Sequence, residues 1–243
     1  PRLKAGVAMA VVRDCLGALA ALHREGVVHG DIKPSNVMLK RTGNAKIVDI
    51  GSAFALHAPP PHYMCTPYYA APELLEHKEC TPRSDLASLG YVLIEMLAGQ
   101  SPFALDAPKN FTDLLRTKRQ LQHRLHEILP HEVTCNDMLM NFCRRLIAPD
   151  PMQRFPSAEA ADLVNEGAAA FHRQLIKSDL AVEYGNEIRV WLEELRELEE
   201  LDAERAQAEE EREGKGEGKG EGKGEGKGES REEPRGETEG AGA

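Results

Sequence analysis

The apolar stretch at residues 84–98 limits the possible folds more than any other part of this 243-residue chain. Four leucines recur within it at intervals of three and four residues, which places them on one face of a helix. Gly90 lies on that face and indicates close packing against a neighbour, whereas Gly99 and Pro102 end the helix. We therefore predict a long helix with an apolar face. The four leucines are Leu86, Leu89, Leu93 and Leu97.

Further helices and a small β element are predicted around this helix. Three short β-prone pieces, VVH, NVML and AKIVDI, precede it, and the sequence KRTGN between the last two is typical of a hairpin turn. Residues 52–72, with three consecutive prolines, predict an irregular loop. The fold class is therefore mainly α with a small β element. Helices are expected at about 7–24, at 111–123, at 134–147 with Thr134 as N-cap, and after Ser157.

The charge distribution separates the end of the chain from its body. Residues 199–243 contain 8 Lys/Arg and 16 Asp/Glu, so they carry −8 of the net charge of −10 and leave −2 on the body. A body so close to neutrality argues against nucleic acid as the main partner. Between residues 214 and 229 the sequence GKGE repeats four times, and its glycine content and alternating charges predict a disordered tail.

One more helix is predicted at 186–212, between the body and the tail. Its apolar stripe can pack back on the body or pair with a helix of a partner protein, and both possibilities stay open. The chain is therefore divided into a body at 1–175, a helical extension at 176–213 and a charged tail at 214–243. The stripe consists of Ile188, Trp191, Leu192, Leu195, Leu198 and Leu201.

Cysteine use and hydropathy indicate the environment of the chain. The five cysteines are widely spread, odd in number and without CxxC spacing, which argues against a disulfide framework and a zinc site. This pattern fits a reducing compartment, so we expect a cytoplasmic location. The apolar runs fall short of a membrane span, and no membrane segment is expected.

The densest chemistry lies in VVHGDIKPSNVML, residues 27–39. There Asp31 can take a proton from a hydroxyl group, and Lys33 can neutralise a phosphate. Asn36 and Asp49, from separate loops, suit Mg²⁺, which needs few protein ligands. Together these groups suit phosphoryl transfer, in which catalysis is positioning plus charge stabilisation. For any one of these residues alone, an Asx turn in a polar loop is the simpler interpretation.

An ordered series of motifs resembles that of eukaryotic-type serine/threonine protein kinases. HGDIKPSN and DIG resemble the catalytic loop and the metal-binding turn, and TPYYAAPE, SDLASLGYVLIEMLAGQSPF and DPMQRF follow in the family's order. The resemblance covers about residues 7–170. It implies that the body, 1–175, is the helical C-terminal lobe of a protein kinase domain, with ATP and Mg²⁺ as cofactors and proteins as substrates.

The resemblance implies a role for each residue that matches a catalytic motif. Asp31 looks like the catalytic base that orients the substrate hydroxyl, and Lys33 like the lysine that contacts the γ-phosphate. Asn36 and Asp49 look like the two Mg²⁺ ligands, so that Lys33, Asn36 and Asp49 would together hold the cofactor. Thr66 lies where the family has the threonine of the substrate loop, which suits serine and threonine acceptors.

Three other matching residues have structural roles in the family. Glu73 of APE is expected to form an ion pair with Arg154 of DPMQRF and so to anchor the substrate loop. Asp85 resembles the aspartate that opens the central helix and accepts hydrogen bonds from the backbone of the catalytic loop. A favourable charge at a helix N-terminus is the simpler interpretation of Asp85. His29 is expected to be a packed structural residue rather than an acid or base.

The chain departs from the family pattern in three respects. Ile50 replaces the usual phenylalanine of the metal-binding turn, and we expect its packing to be kept. Gly30 replaces the usual arginine that meets a phosphorylated loop residue, so activation through that contact is not expected. No glycine-rich loop, strand lysine or partner glutamate precedes Asp31. We therefore expect this chain to be a fragment that cannot turn over ATP alone, whereas the longer natural protein can.

Two rival functions remain for such a chain. A pseudokinase or scaffold is one, although it has no chemical need for Asp31, Lys33, Asn36 and Asp49 together. A small-molecule phosphotransferase of the aminoglycoside-kinase type is the other, since HGD with a downstream asparagine is also typical of that class. The peptide-binding motifs TPYYAAPE and SDLASLG favour a protein kinase over this second rival.

Overall fold

The computed structural model describes residues 2–177 and six residues further along the chain. The chain divides into two units, Pro1–Glu194 and Leu195–Ala243, and in the second unit Arg196 forms an ion pair with Glu200. The helix predicted at 186–212 lies mostly, and the GKGE tail entirely, outside the described residues. The division into body, extension and tail therefore stays a prediction. The six residues are Leu192, Glu193, Arg196, Glu197, Glu200 and Leu201.

Helices dominate residues 2–177 and the strands are only two or three residues long, which confirms the predicted fold class. Single 3₁₀ turns lie at Pro34–Asn36 and Pro151–Gln153. The helices are α1 (Ala5–Arg24), α2 (Pro72–Leu75), α3 (Pro82–Ala98), α4 (Phe111–Ile128), α5 (His131–Thr134), α6 (Asp137–Leu146), α7 (Ala158–Leu163) and α8 (Ala168–Lys177). The strands are β1 (Val27–Val28), β2 (Val37–Leu39), β3 (Ala45–Ile47) and β4 (Phe54–Ala55).

Helix α3 is the buried centre of the body, packed against α1, α6 and α7. It begins with a reciprocal capping box between Thr81 and Ser84 and ends at Gly99, whose φ of 75° closes the helix in the left-handed region. A Cβ atom at Gly90 would lie 2.6 Å from Cγ2 of Ile147, just beyond α6. The close packing predicted at Gly90 is therefore confirmed, and the whole length of α3 can serve as a platform for the loops around it.

Helix α1 corrects one expectation about membranes. Within the described residues, α1 is the one helix long and apolar enough to cross a membrane, with a mean hydropathy of 1.7. The expectation that the apolar runs fall short of a membrane span therefore holds for the uninterrupted runs, which Arg13 and Asp14 divide, but not for the helix as a whole. Half of the segment is buried within the protein, where it packs against α3, α7 and α8, and a core helix meets the same criteria.

The β element consists of two separate antiparallel pairs. Strands β2 and β3 form the predicted hairpin, with Val37 opposite Ile47 and the turn closed by a 2.7 Å hydrogen bond from Lys40 N to Asn44 O. Strands β1 and β4 pair across a long sequence separation. Both β4 and α2 lie in or at the edge of the segment predicted to be irregular, so that prediction was wrong at its two ends.

The helix boundaries differ from the predictions in the region after α3. Helix α4 continues to Ile128, five residues beyond the expected end at 123. Thr134 is the last residue of α5 rather than an N-cap, and Asn136 caps α6 by accepting a hydrogen bond from Leu139 N. Ser157 caps α7 as expected. Asn and Thr are both good N-cap residues, so local propensity alone does not choose between them.

A buried ion pair fastens α2 to the rest of the helical body. Arg154 binds Glu73 through two hydrogen bonds of 2.6 and 2.7 Å, and its guanidinium also donates to the carbonyls of Ala148 and Arg83. Ser84 donates a further hydrogen bond to Glu73 at 2.8 Å. The predicted contact is present, and because both charges are desolvated, each depends on the other.

Replacing Arg154 by methionine should lower the free energy of unfolding by roughly 3–5 kcal/mol, because Glu73 would keep its buried charge without a partner. Urea titration followed by circular dichroism measures this loss. The matched control is Arg116→Met, which removes the exposed ion pair with Asp113 and should cost less than about 1 kcal/mol. Similar losses in the two variants would contradict a structural role for the buried pair.

Candidate active site

The carboxylate of Asp85 holds His29 and Gly30, in the polar segment at residues 27–39, against α3. Its Oδ2 accepts a hydrogen bond from the backbone N–H of His29, and its Oδ1 accepts one from Gly30, both at 2.9 Å. His23, near the end of α1, lies 2.9 Å from Oδ2. Asp85 is only 1% exposed, so these contacts replace water almost completely. The expected contact between Asp85 and this loop is present, which goes beyond a charge at a helix N-terminus.

The backbone geometry explains why a glycine occupies position 30, which the sequence alone did not. Its φ is +80°, in the region that favours glycine, and a Cβ atom there would lie 3.1 Å from the carbonyl oxygen of Ser52. An arginine at this position would therefore strain the backbone and crowd the loop after Asp49. The expectation that loop phosphorylation is not needed through this contact stays a prediction.

Asp31, Lys33 and Thr66 are brought together although 35 residues separate the first from the last. Asp31 Oδ1 accepts a 2.7 Å hydrogen bond from Thr66 N, and Asp31 Oδ2 lies 2.6 Å from Lys33 Nζ. Lys33 also donates to Thr66 Oγ1 at 3.0 Å. Burial raises the pKa of Asp31, but the hydrogen bonds from Lys33 and Thr66 together lower it by more than burial raises it. The pKa therefore lies below its ordinary value. Asp31 is therefore ionised at neutral pH.

Asn36 and Asp49 are linked through the backbone rather than by a direct contact. Asn36 is buried, and its Nδ2 donates a 2.9 Å hydrogen bond to the carbonyl of Asp31. Val48 N donates to the carbonyl of Asn36, so the residue before Asp49 is fixed to the segment that contains Asp31 and Asn36. Asp49 has a φ of 62° and an exposed carboxylate that accepts a hydrogen bond from Gly51 N.

This donor set fits a hard divalent cation. With Nδ2 of Asn36 engaged, its Oδ1 is the atom left for a cation, and Asp49 offers a carboxylate with solvent access. Oxygen ligands from two loops are what Mg²⁺ uses together with phosphate oxygens. Within the described residues, no cluster of three or more His, Cys, Asp or Glu side chains forms an alternative metal site.

His29 and Ile50, on either side of Asn36 in sequence, differ in their burial. His29 is fully buried, and its Nδ1 accepts a hydrogen bond from Asp31 N at 3.3 Å, as suits a packed structural residue. Ile50, by contrast, is 69% exposed. The expectation that its packing is kept was therefore wrong for the described part of this chain.

Sequence reasoning missed two contacts that hold the loop following Thr66. Tyr69 donates a 2.6 Å hydrogen bond to Glu95 on α3, and burial together with this carboxylate raises the pKa of the Tyr69 hydroxyl. Lys118 on α4 donates to the carbonyl of Tyr68 at 2.7 Å. Neither pairing leaves a local signal, because a tyrosine in a loop and a lysine in an amphipathic helix are both expected at the surface.

A cavity of about 680 Å³ opens beside Thr66. Its wall includes Cys65 and Pro67 on either side of that threonine, with Leu74 of α2 and Phe111 of α4. These surroundings are mainly apolar, so the cavity suits an uncharged group of a ligand.

Known proteins resemble this chain over the same region that contains the site. The family model described as protein kinase domain matches residues 2–164. Serine/threonine-protein kinase STE20 of Candida glabrata is 32% identical over 163 residues, which cover 66% of this chain and 17% of that protein. Serine/threonine-protein kinase PAK 4 of Mus musculus is 33% identical over 153 residues, 62% of this chain and 25% of that protein. The chain thus spans a quarter or less of the length of these relatives.

The pH dependence of stability should report the environment of Asp31. The pKa of Asp31 is lower in the folded protein than in the unfolded chain, where it is about 3.9. Its contribution to the free energy of unfolding is therefore complete above the unfolded pKa and is lost as the pH falls through the folded pKa. Between about pH 5 and about pH 2.5, the free energy of unfolding should therefore fall more steeply in the wild type than in Asp31→Asn. The Lys33→Met variant should lie between the two. Parallel pH profiles for the wild type and Asp31→Asn would contradict the assignment.

Proposed function

The chain belongs to the protein kinase domain family, and from that membership we propose that it carries the catalytic residues of a serine/threonine protein kinase. The proposed reaction transfers the γ-phosphoryl group of ATP to serine or threonine hydroxyls of protein substrates. The observation that carries the proposal is the joint placement of Asp31, Lys33 and Thr66, in which an ionised carboxylate and a cation meet the loop expected to bind the substrate.

In the proposed mechanism Asp31 orients the attacking hydroxyl and accepts its proton. The hydroxyl would approach Oδ2, the oxygen that Lys33 now contacts, while the Thr66 N–H keeps Oδ1 in place. Lys33 would then turn its ammonium toward the transferred phosphoryl group and offset its negative charge. Because Lys33 contacts both Asp31 and Thr66, one side chain couples the acceptor side of the site to the phosphate side.

The proposed cofactors are ATP and Mg²⁺, which the family generally uses. Oδ1 of Asn36 and the carboxylate of Asp49 would hold the metal, which supplies charge neutralisation on the phosphates when bound. The hydrogen bond from Asn36 to the Asp31 carbonyl would hold the Asn36 side chain at a fixed position relative to Asp31. Substrate selection is assigned to Thr66 and the mainly apolar cavity beside it.

The rival functions make different use of the same residues. A small-molecule phosphotransferase would not need the ion pair between Glu73 and Arg154, which anchors the segment following Thr66. A scaffold would not need the ionised Asp31 beside Lys33. These two contacts favour the protein kinase.

Location and partners are further parts of the proposal. All five cysteines are free thiols, which supports the cytoplasmic location. A partner helix for residues 186–212 is proposed from the apolar stripe in the sequence alone.

Replacing Asp31 by asparagine in the full-length protein should slow phosphate transfer to casein by about 10²–10⁴-fold, because the general base is removed. The assay uses γ-labelled ATP with Mg²⁺, followed by phosphoamino-acid analysis, which should detect phosphoserine or phosphothreonine. The control Asp113→Asn changes a half-buried carboxylate in the first turn of α4 and should leave the rate unchanged. Transfer by Asp31→Asn at the wild-type rate, or a wild type without transfer activity, would contradict the proposed function.

A further inference from the structure

Lys118 is a buried lysine that forms no ion pair with the described residues. It is one of two Lys or Arg side chains buried in the described part of the chain, and the other, Arg154, is paired with Glu73. Lys118 is fully buried, and Glu73, the carboxylate whose charge acts on it, is paired with Arg154. A lysine in such a place costs free energy unless other groups compensate its charge, so its surroundings indicate what it does.

Three groups surround the amine of Lys118. Nζ donates a 2.7 Å hydrogen bond to the carbonyl of Tyr68, and it lies 3.9 Å from the ring centre of Tyr91 and 4.5 Å from that of Phe103. The ring faces stabilise a cation, whereas burial lowers the pKa of Lys118 well below its ordinary value. In either protonation state the amine keeps a hydrogen to donate. A methionine would fill similar space, so the donor to Tyr68 is what lysine adds.

The carbonyl that Lys118 binds belongs to a tight turn that begins at Thr66. The backbone N–H groups of Tyr69 and Ala70 both donate to the carbonyl of Thr66 at 2.9 Å, which closes the turn around Tyr68. Thr66 N in turn donates to Asp31. Tyr68 and the Thr66 amide that binds the Asp31 carboxylate therefore belong to the same turn. If Tyr68 moves, the Thr66 amide is expected to move with it.

The residues of this turn are hydrogen-bonded to different parts of the body. Tyr69 is tied to Glu95 on α3, and Thr66 is tied to Asp31 and Lys33 in the polar loop. Tyr68 is exposed, and in the described part of the chain it makes an edge contact with Phe103 and accepts the hydrogen bond from Lys118 at its carbonyl. Among the described residues, the hydrogen bond from Lys118 thus links helix α4 to the backbone of the turn.

We propose that Lys118 is a positioning residue of the substrate loop, which fixes the backbone at Tyr68 from beneath so that Thr66 stays on Asp31. The inference rests on the proposed function, since it assigns Lys118 to the acceptor side of that site. It predicts that loss of the amine loosens the turn and weakens the use of the protein substrate, whereas ATP binding is unaffected.

The first test is hydrogen exchange of the full-length protein, measured by NMR or mass spectrometry with residue resolution. In Lys118→Met the amides of Thr66, Tyr69 and Ala70 should exchange about tenfold faster or more, because the turn loses its attachment to α4. Lys109→Met, an exposed lysine before α4, should leave these amides unchanged. Unchanged protection in Lys118→Met would overturn the proposal.

A destabilised control separates positioning from a general loss of stability. Leu121→Ala removes a buried side chain one turn further along α4 without touching Tyr68. Each variant is compared at the same interval below its own Tm. Faster exchange at Thr66, Tyr69 and Ala70 in Lys118→Met alone supports the proposal, and an equal increase in Leu121→Ala would overturn it.

The second test divides the kinetic effect between the two substrates. With casein as acceptor, kcat/KM for the protein should fall about tenfold in Lys118→Met, while KM for ATP stays unchanged. Equal changes for casein and ATP would overturn the positioning role. A full-length wild type that transfers no phosphate would contradict the proposed function, while the exchange comparison would still test the attachment of the turn.

Discussion

The buried carboxylate of Asp85 is the contact on which the arrangement of the site depends. It lies in the first turn of α3, the helix that forms the centre of the body, and it binds the two N–H groups that precede Asp31. Without this acceptor, the buried N–H of His29 would be left without a partner, at a cost of about 1–3 kcal/mol, and the half-buried N–H of Gly30 would lose its acceptor as well. The position of Asp31 relative to the core is therefore set by one side chain of the central helix.

Other contacts extend this arrangement outward from α3. Glu95 holds Tyr69 from the last turn of the same helix, and Glu73 with Arg154 fastens the segment that follows. Each of these contacts satisfies a polar group that would otherwise be costly to bury. The loop bearing Thr66 consequently meets Asp31 through attachments to rigid elements, which is what positioning chemistry requires.

The parts of the fold that were predictable have local signals. The leucine spacing and Gly90 predicted α3 and its close packing, and the hairpin of β2 and β3 followed from a short turn sequence. Strand β4 was missed because its partner β1 lies far away in sequence, and its two residues have no periodicity to detect. The site residues could be named because their motifs are ordered along the chain. The exposure of Ile50 and the burial of Lys118 were not foreseeable, since both depend on what lies nearby in three dimensions.

The most direct measurement compares phosphate transfer by the wild type and by Asp85→Asn in the full-length protein. An asparagine is nearly isosteric but exchanges one acceptor oxygen for an NH₂ group, so it cannot accept both backbone hydrogen bonds. Asp113→Asn, in the first turn of α4, controls for loss of a charge at a helix N-terminus. The account predicts that Asp85→Asn stays folded by circular dichroism and loses about 10²-fold in transfer rate, whereas the control does not. A folded Asp85→Asn protein that transfers phosphate at the wild-type rate would contradict it.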